Sequence, residues 1–365
     1  MIFHLPYNVD PKVSSGSHLR PIRMLNAFKT IGYKVDCVMG YGAIRREQIK
    51  KIKKNIETGV KYDFVYSESS TTPTLLTEEH HFPLFPFLDF NFLKFCKENQ
   101  IKIGLFYRDI YWKFKEGKEG LSLLKRAILR LFYKFDLWQY KRLVDILYLP
   151  SRKMYSFIHF RFKKKIKALP PGIDRKNLLS KEGSNLISFI YVGGLGPFYD
   201  LNMFFKTIAK FKDLNFRLCT RAEDWKNNRI YYEKYLNNSI EIFHKNSNEL
   251  EEDFLRSDIA VLFTKPIDYS QFAMPTKLFE YISYKKPIIA VRGIATGDFV
   301  EKNNIGWVID YDENELYNLI KNLKNNKNEI KKKIKNIEKI IPQNTWEARA
   351  VDVKNDLCNI TDLEI

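Results

Sequence analysis

The chain has little of what marks a secreted, zinc-bound or membrane-spanning protein. Its 365 residues include four cysteines. Cys37, Cys96, Cys219 and Cys358 are far apart and form no CxxC pair, which excludes a disulfide framework or cysteine zinc site and suits a cytosolic protein. No run of about 18 apolar residues occurs, so no transmembrane helix is expected. The opening residues, MIFHLPYNVDPKVSSG, lack a basic segment followed by a long apolar stretch. They read as a first core strand and not a signal peptide. No DxD-like motif stands at a strand end, so no metal ligands are assigned. Acid is also scarce: 43 Asp and Glu face 61 Lys and Arg, a formal net charge of +18. That excess suits nucleic acid, anionic lipid or anionic substrates, although abundant Lys, Asn and Ile also fit a compositional bias with solvated surface.

What is present alternates. Apolar strands are expected at Met1–Leu5, Tyr33–Met39, Phe64–Tyr66, Ile101–Tyr107 and Val144–Leu149, with helices between them, the first at Pro21–Gly32. The pattern restarts after the Pro-Pro-Gly turn near residue 170. Leu186–Val192 ends in Gly193-Gly194, and strands follow at Phe216–Cys219, Ile240–Phe243, Ile259–Phe263, Pro287–Val291 and Trp307–Ile309. A highly charged helix is expected over Lys321–Ile340, and another over Asn344–Leu357. Such alternation argues for α/β architecture with two doubly wound, Rossmann-like domains, whose ligands bind beyond the carboxyl ends of the strands.

The most informative segment is Met274–Ile289, MPTKLFEYISYKKPII. Pro275 suits a first helical turn, and Leu278, Phe279 and Ile282 recur at helical spacing. Among them stand one cation, Lys277, and one anion, Glu280. A helix N-terminus with a cation suits a phosphate, and a carboxylate one turn on can accept from both hydroxyls of a sugar diol. The alternative is an amphipathic helix with two solvated charges.

Taken in order, LPPGID (Leu169–Asp174), FIYVGGLG (Phe189–Gly196), IEIFHKNSNELEEDFLRSDIAVL (Ile240–Leu262), PTKLFEYISYKKPIIAV (Pro275–Val291), IGWVID (Ile305–Asp310) and the late Trp346 resemble the GT-B glycosyltransferases, most closely retaining glycosyltransferase family 4. The resemblance implies an acceptor-binding domain over residues 1–170, a nucleotide-sugar-binding domain over 171–341, and a C-terminal helix, 342–365, returning to the first domain. The two domains of this fold face each other across a cleft. It implies a nucleoside diphosphate sugar as donor substrate and neither cofactor nor metal.

On that resemblance Glu280 binds the ribose hydroxyls, and Thr276 and Lys277 face the diphosphate. Gly193 and Gly194 form the donor glycine loop, while Gly16 and Ser17, in the Ser14–Ser17 turn, lie beneath the diphosphate. The family's usual Arg and Lys pair after the glycine loop is missing from GGLGPFYD, so Arg221 is expected to share the diphosphate's charge with Lys277. His244 and Lys245 end the strand that meets the base. His18, Arg108 and Asp109 are placed on the acceptor side, with Asp109 able to orient or deprotonate the acceptor hydroxyl or else to be structural. Asp109, Lys277 and Arg221 are the catalytic candidates. The family often carries a second glutamate seven residues before Glu280. Here that position is Phe272, leaving Asp268, Tyr269 or backbone N–H groups of Ser270–Met274 to meet the sugar.

Two clusters hold much of the positive charge. In Leu121–Leu143, leucines and aromatics alternate with Lys and Arg at helical spacing, with Asp136 the only acid. Residues 152–167 contain no acid at all. Both suit an anionic membrane surface beside a lipid-linked acceptor, or a core helix with a solvated face. No nucleic-acid module motif appears, and no nucleic-acid partner is expected. The expected protein is a cytoplasmic glycosyltransferase, peripheral on the inner face of the membrane, in bacterial surface polysaccharide assembly. A nucleotide-sugar epimerase on the same fold and a degenerate nucleotide- or glycan-binding protein are the alternatives.

Overall fold

The computed structural model describes residues 1–10, 16–114, 122–158, 161–176 and 186–359, apart from the side chains of residues 16, 17 and 247. The contacts divide the chain into two units: Met1–Pro171 with Trp346–Ile365, and Gly172–Thr345.

In the first unit, strands β1 (Ile2–His4), β2 (Asp36–Val38), β3 (Phe64–Glu68), β4 (Lys102–Phe106), β5 (Ile146–Leu149) and β6 (Lys165–Ala168) form one sheet in the order β2-β1-β3-β4-β5-β6. In the second, β7 (Ile187–Val192), β8 (Leu214–Cys219), β9 (Ile240–Phe243), β10 (Ile259–Leu262), β11 (Ile288–Val291) and β12 (Gly306–Ile309) form a sheet in the order β12-β11-β10-β7-β8-β9. All pairings are parallel. The sequence explains why. Strands such as IAVL and IIAV are apolar at every position and buried along their length, as helices on both faces of a parallel sheet require. The second order is the Rossmann order, in which the chain leaves β7 to one side for β8 and returns to its other side as β10. The crevice at that reversal is where such sheets bind ligands.

The doubly wound, two-unit architecture is as expected, with three corrections of detail. The first helix spans Gly16–Thr30, so Pro21 lies inside it, costing one backbone bond. The charged helix is two, Glu313–Asn325 and Lys327–Ile340, because Asn326 leaves helical geometry. The basic segment 152–167 ends inside β6, Lys165–Ala168. This edge strand pairs with β5 on one side only. Lys164 pairs with Asp145 and Lys167 with Asp356, so two of that segment's charges are neutralised within the unit. Edge lysines also discourage pairing with another sheet.

The Trp346–Cys358 helix packs against the Gly16–Thr30 helix and β4. Trp346, Ala350, Val353 and Leu357 enter the same apolar core as Phe3, Phe28 and Tyr66. Leu357 lies so close to Gly104 that a Cβ there would come within 2.9 Å of it. We expect Trp346→Ala to destabilise the protein by about 3–5 kcal/mol in urea unfolding. A loss under about 1 kcal/mol would place this residue outside the core.

Candidate functional site

The second unit builds its site where β7 ends. The Thr276–Ser283 helix buries Leu278, Phe279, Tyr281 and Ile282. The Tyr281 hydroxyl accepts the Val192 N–H at 2.9 Å and so pins the helix to the end of β7. One turn earlier, Lys277 therefore lies against the Gly193-Gly194 loop. Its Nζ donates to the Tyr191 hydroxyl at 2.7 Å and stands 4.3 Å from the Tyr191 ring centroid and 3.6 Å from that of Tyr199. Tyr191 in turn donates to the Gly194 carbonyl at 2.8 Å. Gly193 has φ 144°, and a Cβ there would lie 2.6 Å from the Lys277 Nζ. Backbone and ammonium both require glycine.

The electrostatics are unusual. Lys277 is 9% exposed, and no described carboxylate comes within 4.0 Å of it. Burial lowers its pKa to about 7, with Glu280 pulling the other way. The half-buried Glu280 carboxylate makes no hydrogen bond or ion pair among the described residues. Burial raises its pKa to about 6, Lys176 and Lys277 oppose the rise, and Asp174 adds to it. Lys176 itself donates to the Tyr284 hydroxyl at 2.7 Å. One short helix thus presents an ammonium without a counter-ion and, a turn later, a carboxylate without donors. The first can meet an anion and the second a pair of hydroxyls.

Thr276 is exposed at the start of this helix. Arg221 caps the Ala222–Tyr232 helix, exposed beside the same loop, and is paired with Asp224 at 2.9 Å. A Cβ on Gly194 would lie 3.7 Å from the Arg221 guanidinium. His244 is exposed, and its Nδ1 bonds to the Thr220 carbonyl at 2.7 Å. Lys245 turns away to Asp253 at 2.7 Å, where Arg217 also binds. Its side chain is engaged structurally, while the expected base contact is through backbone groups. Phe272 is 1% exposed and packs edge-on to Tyr269, which packs on Phe198 in the glycine loop. An apolar cluster occupies the position where the resemblance anticipated a carboxylate.

In the first unit Gly16 opens the helix after β1, while Ser14, Ser15 and the Ser17 side chain lie outside the described residues. The His18 Nδ1 accepts the Asp10 N–H at 3.0 Å. Arg108 is engaged inward: it pairs with the buried Glu68 at 2.9 Å and donates to the Tyr7 hydroxyl at 2.6 Å. Glu68 is also bound by Arg20 at 3.3 Å. The Asp109 Oδ1 accepts the Ile110 N–H at 2.6 Å. Sequence reasoning did not find Tyr191, Tyr199 or Tyr281, whose hydroxyls and rings hold the site. It also missed Ser67, His4 and Asp89, bonded in series at 2.8 and 3.0 Å like a nucleophilic triad. All three are buried, and Asp89 is held by Arg45 from its other side, so the series serves the core. Among the described residues no three His, Cys, Asp or Glu side chains gather as a metal site.

Comparison with known proteins agrees with this geometry. The chain has the GT-B fold. Residues 205–352 match the family model "Glucosyltransferase 3-like, C-terminal domain", which covers most of the unit holding Lys277 and Glu280. Three solved structures share the whole fold. HepE from Anabaena, in complex with UDP-glucose, has a TM-score of 0.65 at 12% identity, covering 98% of this chain and 99% of that one. A glycosyltransferase from Rickettsia africae has 0.63 at 13%, covering 99% of each. WaaG, a glycosyltransferase involved in lipopolysaccharide biosynthesis, has 0.61 at 11%, covering 99% and 100%. No curated protein matches the chain by sequence.

Lys277→Met separates stability from binding. Between pH about 7 and the ordinary lysine range, the unfolded chain holds a proton that the folded chain has lost, so the ammonium's cost is full below about 7 and fades as pH rises. We expect the variant to be more stable than the wild type by about 1 kcal/mol or more near pH 6, with the gain shrinking near pH 9. Urea unfolding at the two pH values measures it. A gain independent of pH would contradict the buried-ammonium assignment.

Proposed function

We propose that the protein transfers a sugar, with retention, from a nucleoside diphosphate donor to a hydroxyl of a glycan or lipid-linked acceptor in bacterial surface polysaccharide assembly. The observation that carries this is the Lys277 and Glu280 pair on one buried helix at the Rossmann reversal. Glu280 holds the ribose diol. Lys277, the helix N-terminus and Arg221 meet the diphosphate without metal, and Thr276 and the Gly193-Gly194 backbone border it. The bond from the sugar's anomeric carbon to the diphosphate oxygen breaks, that carbon bonds to the acceptor oxygen, and the acceptor proton passes to the leaving phosphate. Asp109 orients the acceptor hydroxyl. The protein's contribution is position and charge. HepE's complex with UDP-glucose supports the donor class, and WaaG's role in lipopolysaccharide biosynthesis supports the pathway.

A membrane-facing role for the Leu123–Leu143 helix fits the same reading. Leu123, Leu124, Ile128, Leu131 and Trp138 are exposed along it. Its one acid, Asp136, is buried and accepts the Thr74 N–H at 2.8 Å, leaving the outer face cationic and apolar. No described helix is long and apolar enough to cross a membrane. The protein would work at the cytoplasmic face.

A non-catalytic nucleotide-binding reading draws on Phe272, which removes a polar group from the sugar end. A thermal-shift screen with UDP, GDP, ADP and CMP, followed by donor turnover, separates the readings. We expect one nucleoside diphosphate to raise the melting temperature, Glu280→Ala to weaken it by about tenfold or more, and the matching sugar donor to release free diphosphate with acceptor. Binding without turnover of any donor would favour the non-catalytic reading. Unchanged binding by Glu280→Ala would remove the ribose assignment.

A further inference from the structure

The first unit contains a second cavity with a different chemistry. It holds about 550 Å³ and is lined by Ile110, Trp112, Lys113, Arg130, Lys134, Leu137 and Ile158. That is ample for part of one small molecule. Ile110, Leu137 and Ile158 are buried, and Trp112 stacks on Tyr133 with ring centroids 5.0 Å apart. The walls are hydrocarbon and indole. The rim is cationic. Lys113 is anchored by the Phe157 carbonyl, while Arg130 and Lys134 make no ion pair among the described residues. Asp136 cannot neutralise them, because it is turned into the core against Thr74.

Position adds a second line of support. Ile110 and Trp112 lie just beyond the carboxyl end of β4, the edge where parallel sheets take ligands. Arg130, Lys134 and Leu137 stand at i, i+4 and i+7 on the Leu123–Leu143 helix and therefore form one stripe. The exposed row of Leu124, Ile128, Leu131 and Trp138 lies about 100° further round the same helix. An apolar pocket rimmed by cations that make no ion pair among the described residues, on a helix that also carries an exposed apolar row, matches an amphiphile with an anionic head. A free sugar would find few hydroxyl partners on these walls.

We propose that this cavity binds a lipid phosphate, its chain against Ile110, Leu137 and Ile158 and its phosphate at Arg130 and Lys134. The inference rests on the membrane-facing reading of the helix for the source of the lipid, and it is independent of the nucleotide site. A lipid held here would carry a glycan or phosphate head at the ligand edge of the first sheet.

The test uses the full chain and lysophosphatidate below its micelle concentration, followed by tryptophan fluorescence and calorimetry. We expect saturable binding, at least about tenfold tighter than the monoacylglycerol of the same chain, with inorganic phosphate giving no comparable binding. Arg130→Ala with Lys134→Ala, or Leu137→Trp to fill the cavity, should weaken it by about tenfold or more. Leu124→Ser with Leu131→Ser, outside the cavity, should leave it unchanged while reducing association with anionic vesicles. If Leu137→Trp fails to fold, the exposed double cation variant decides. Wild-type lysophosphatidate binding by the double cation variant would overturn the proposal, as would equal binding of the neutral lipid. Binding as tight by inorganic phosphate would overturn the lipid assignment. A thermal shift with the nucleotide on each variant keeps this outcome separate from the donor site.

Discussion

The site depends on one constraint: the Lys277 ammonium is buried with no carboxylate paired to it among the described residues. Removing a charge from water is expensive, and the folded protein offsets part of the cost with the Tyr191 hydroxyl, two aromatic faces and the field of Glu280. Several neighbouring features are arranged around it. Gly193 adopts φ 144°, which favours glycine, and the ammonium lies in the space a Cβ would enter. Tyr281 fixes the helix so that the lysine cannot swing to solvent with its helix, and Tyr191 holds the glycine loop by the Gly194 carbonyl. A charge kept at such cost without a partner is best explained by an anion that arrives from outside.

The contrast with three other buried carboxylates sharpens that point. Glu68 is met by Arg20 and Arg108, Asp89 by His4 and Arg45, and Asp253 by Arg217 and Lys245. Each of those carboxylates is met by its partners inside one unit. They hold strand ends and helices together, and removing one partner would leave an uncompensated buried charge. The Thr276–Ser283 helix differs because its two ionic groups face outward in chemistry while being withdrawn from water. Complementary charges i and i+3 apart would ordinarily pair, yet Lys277 turns to the glycine loop and Glu280 remains unbonded. The division of labour between anion and diol follows from that divergence.

Much of this was legible in the sequence. Uniformly apolar strands of four to six residues separated by helices specify parallel sheets. The PTKLFEY helix stood out by its spacing, and the family resemblance gave it and the Gly193-Gly194 turn their roles. What was not legible was mostly partner choice. Arg108 and Lys245 sit at strand ends, where a ligand contact is the natural expectation, and only the tertiary structure brings Glu68 and Asp253 to them. The tyrosines that cage Lys277 are ordinary core aromatics in one dimension. The β6 strand was hidden because KIKA has one bulky apolar residue and pairs on one side only. The break at Asn326 was hidden because the charged pattern runs through it.

The most direct test is the ionisation of Lys277 itself, followed by NMR of isotopically labelled lysine with Lys277→Met as the assignment control. The account gives a value near 7 in the free protein, returning toward the ordinary lysine range when a nucleoside diphosphate is bound, because the anion supplies the missing counter-charge. A lysine that titrates normally in the free protein, or a low value that the diphosphate leaves unmoved, would contradict it.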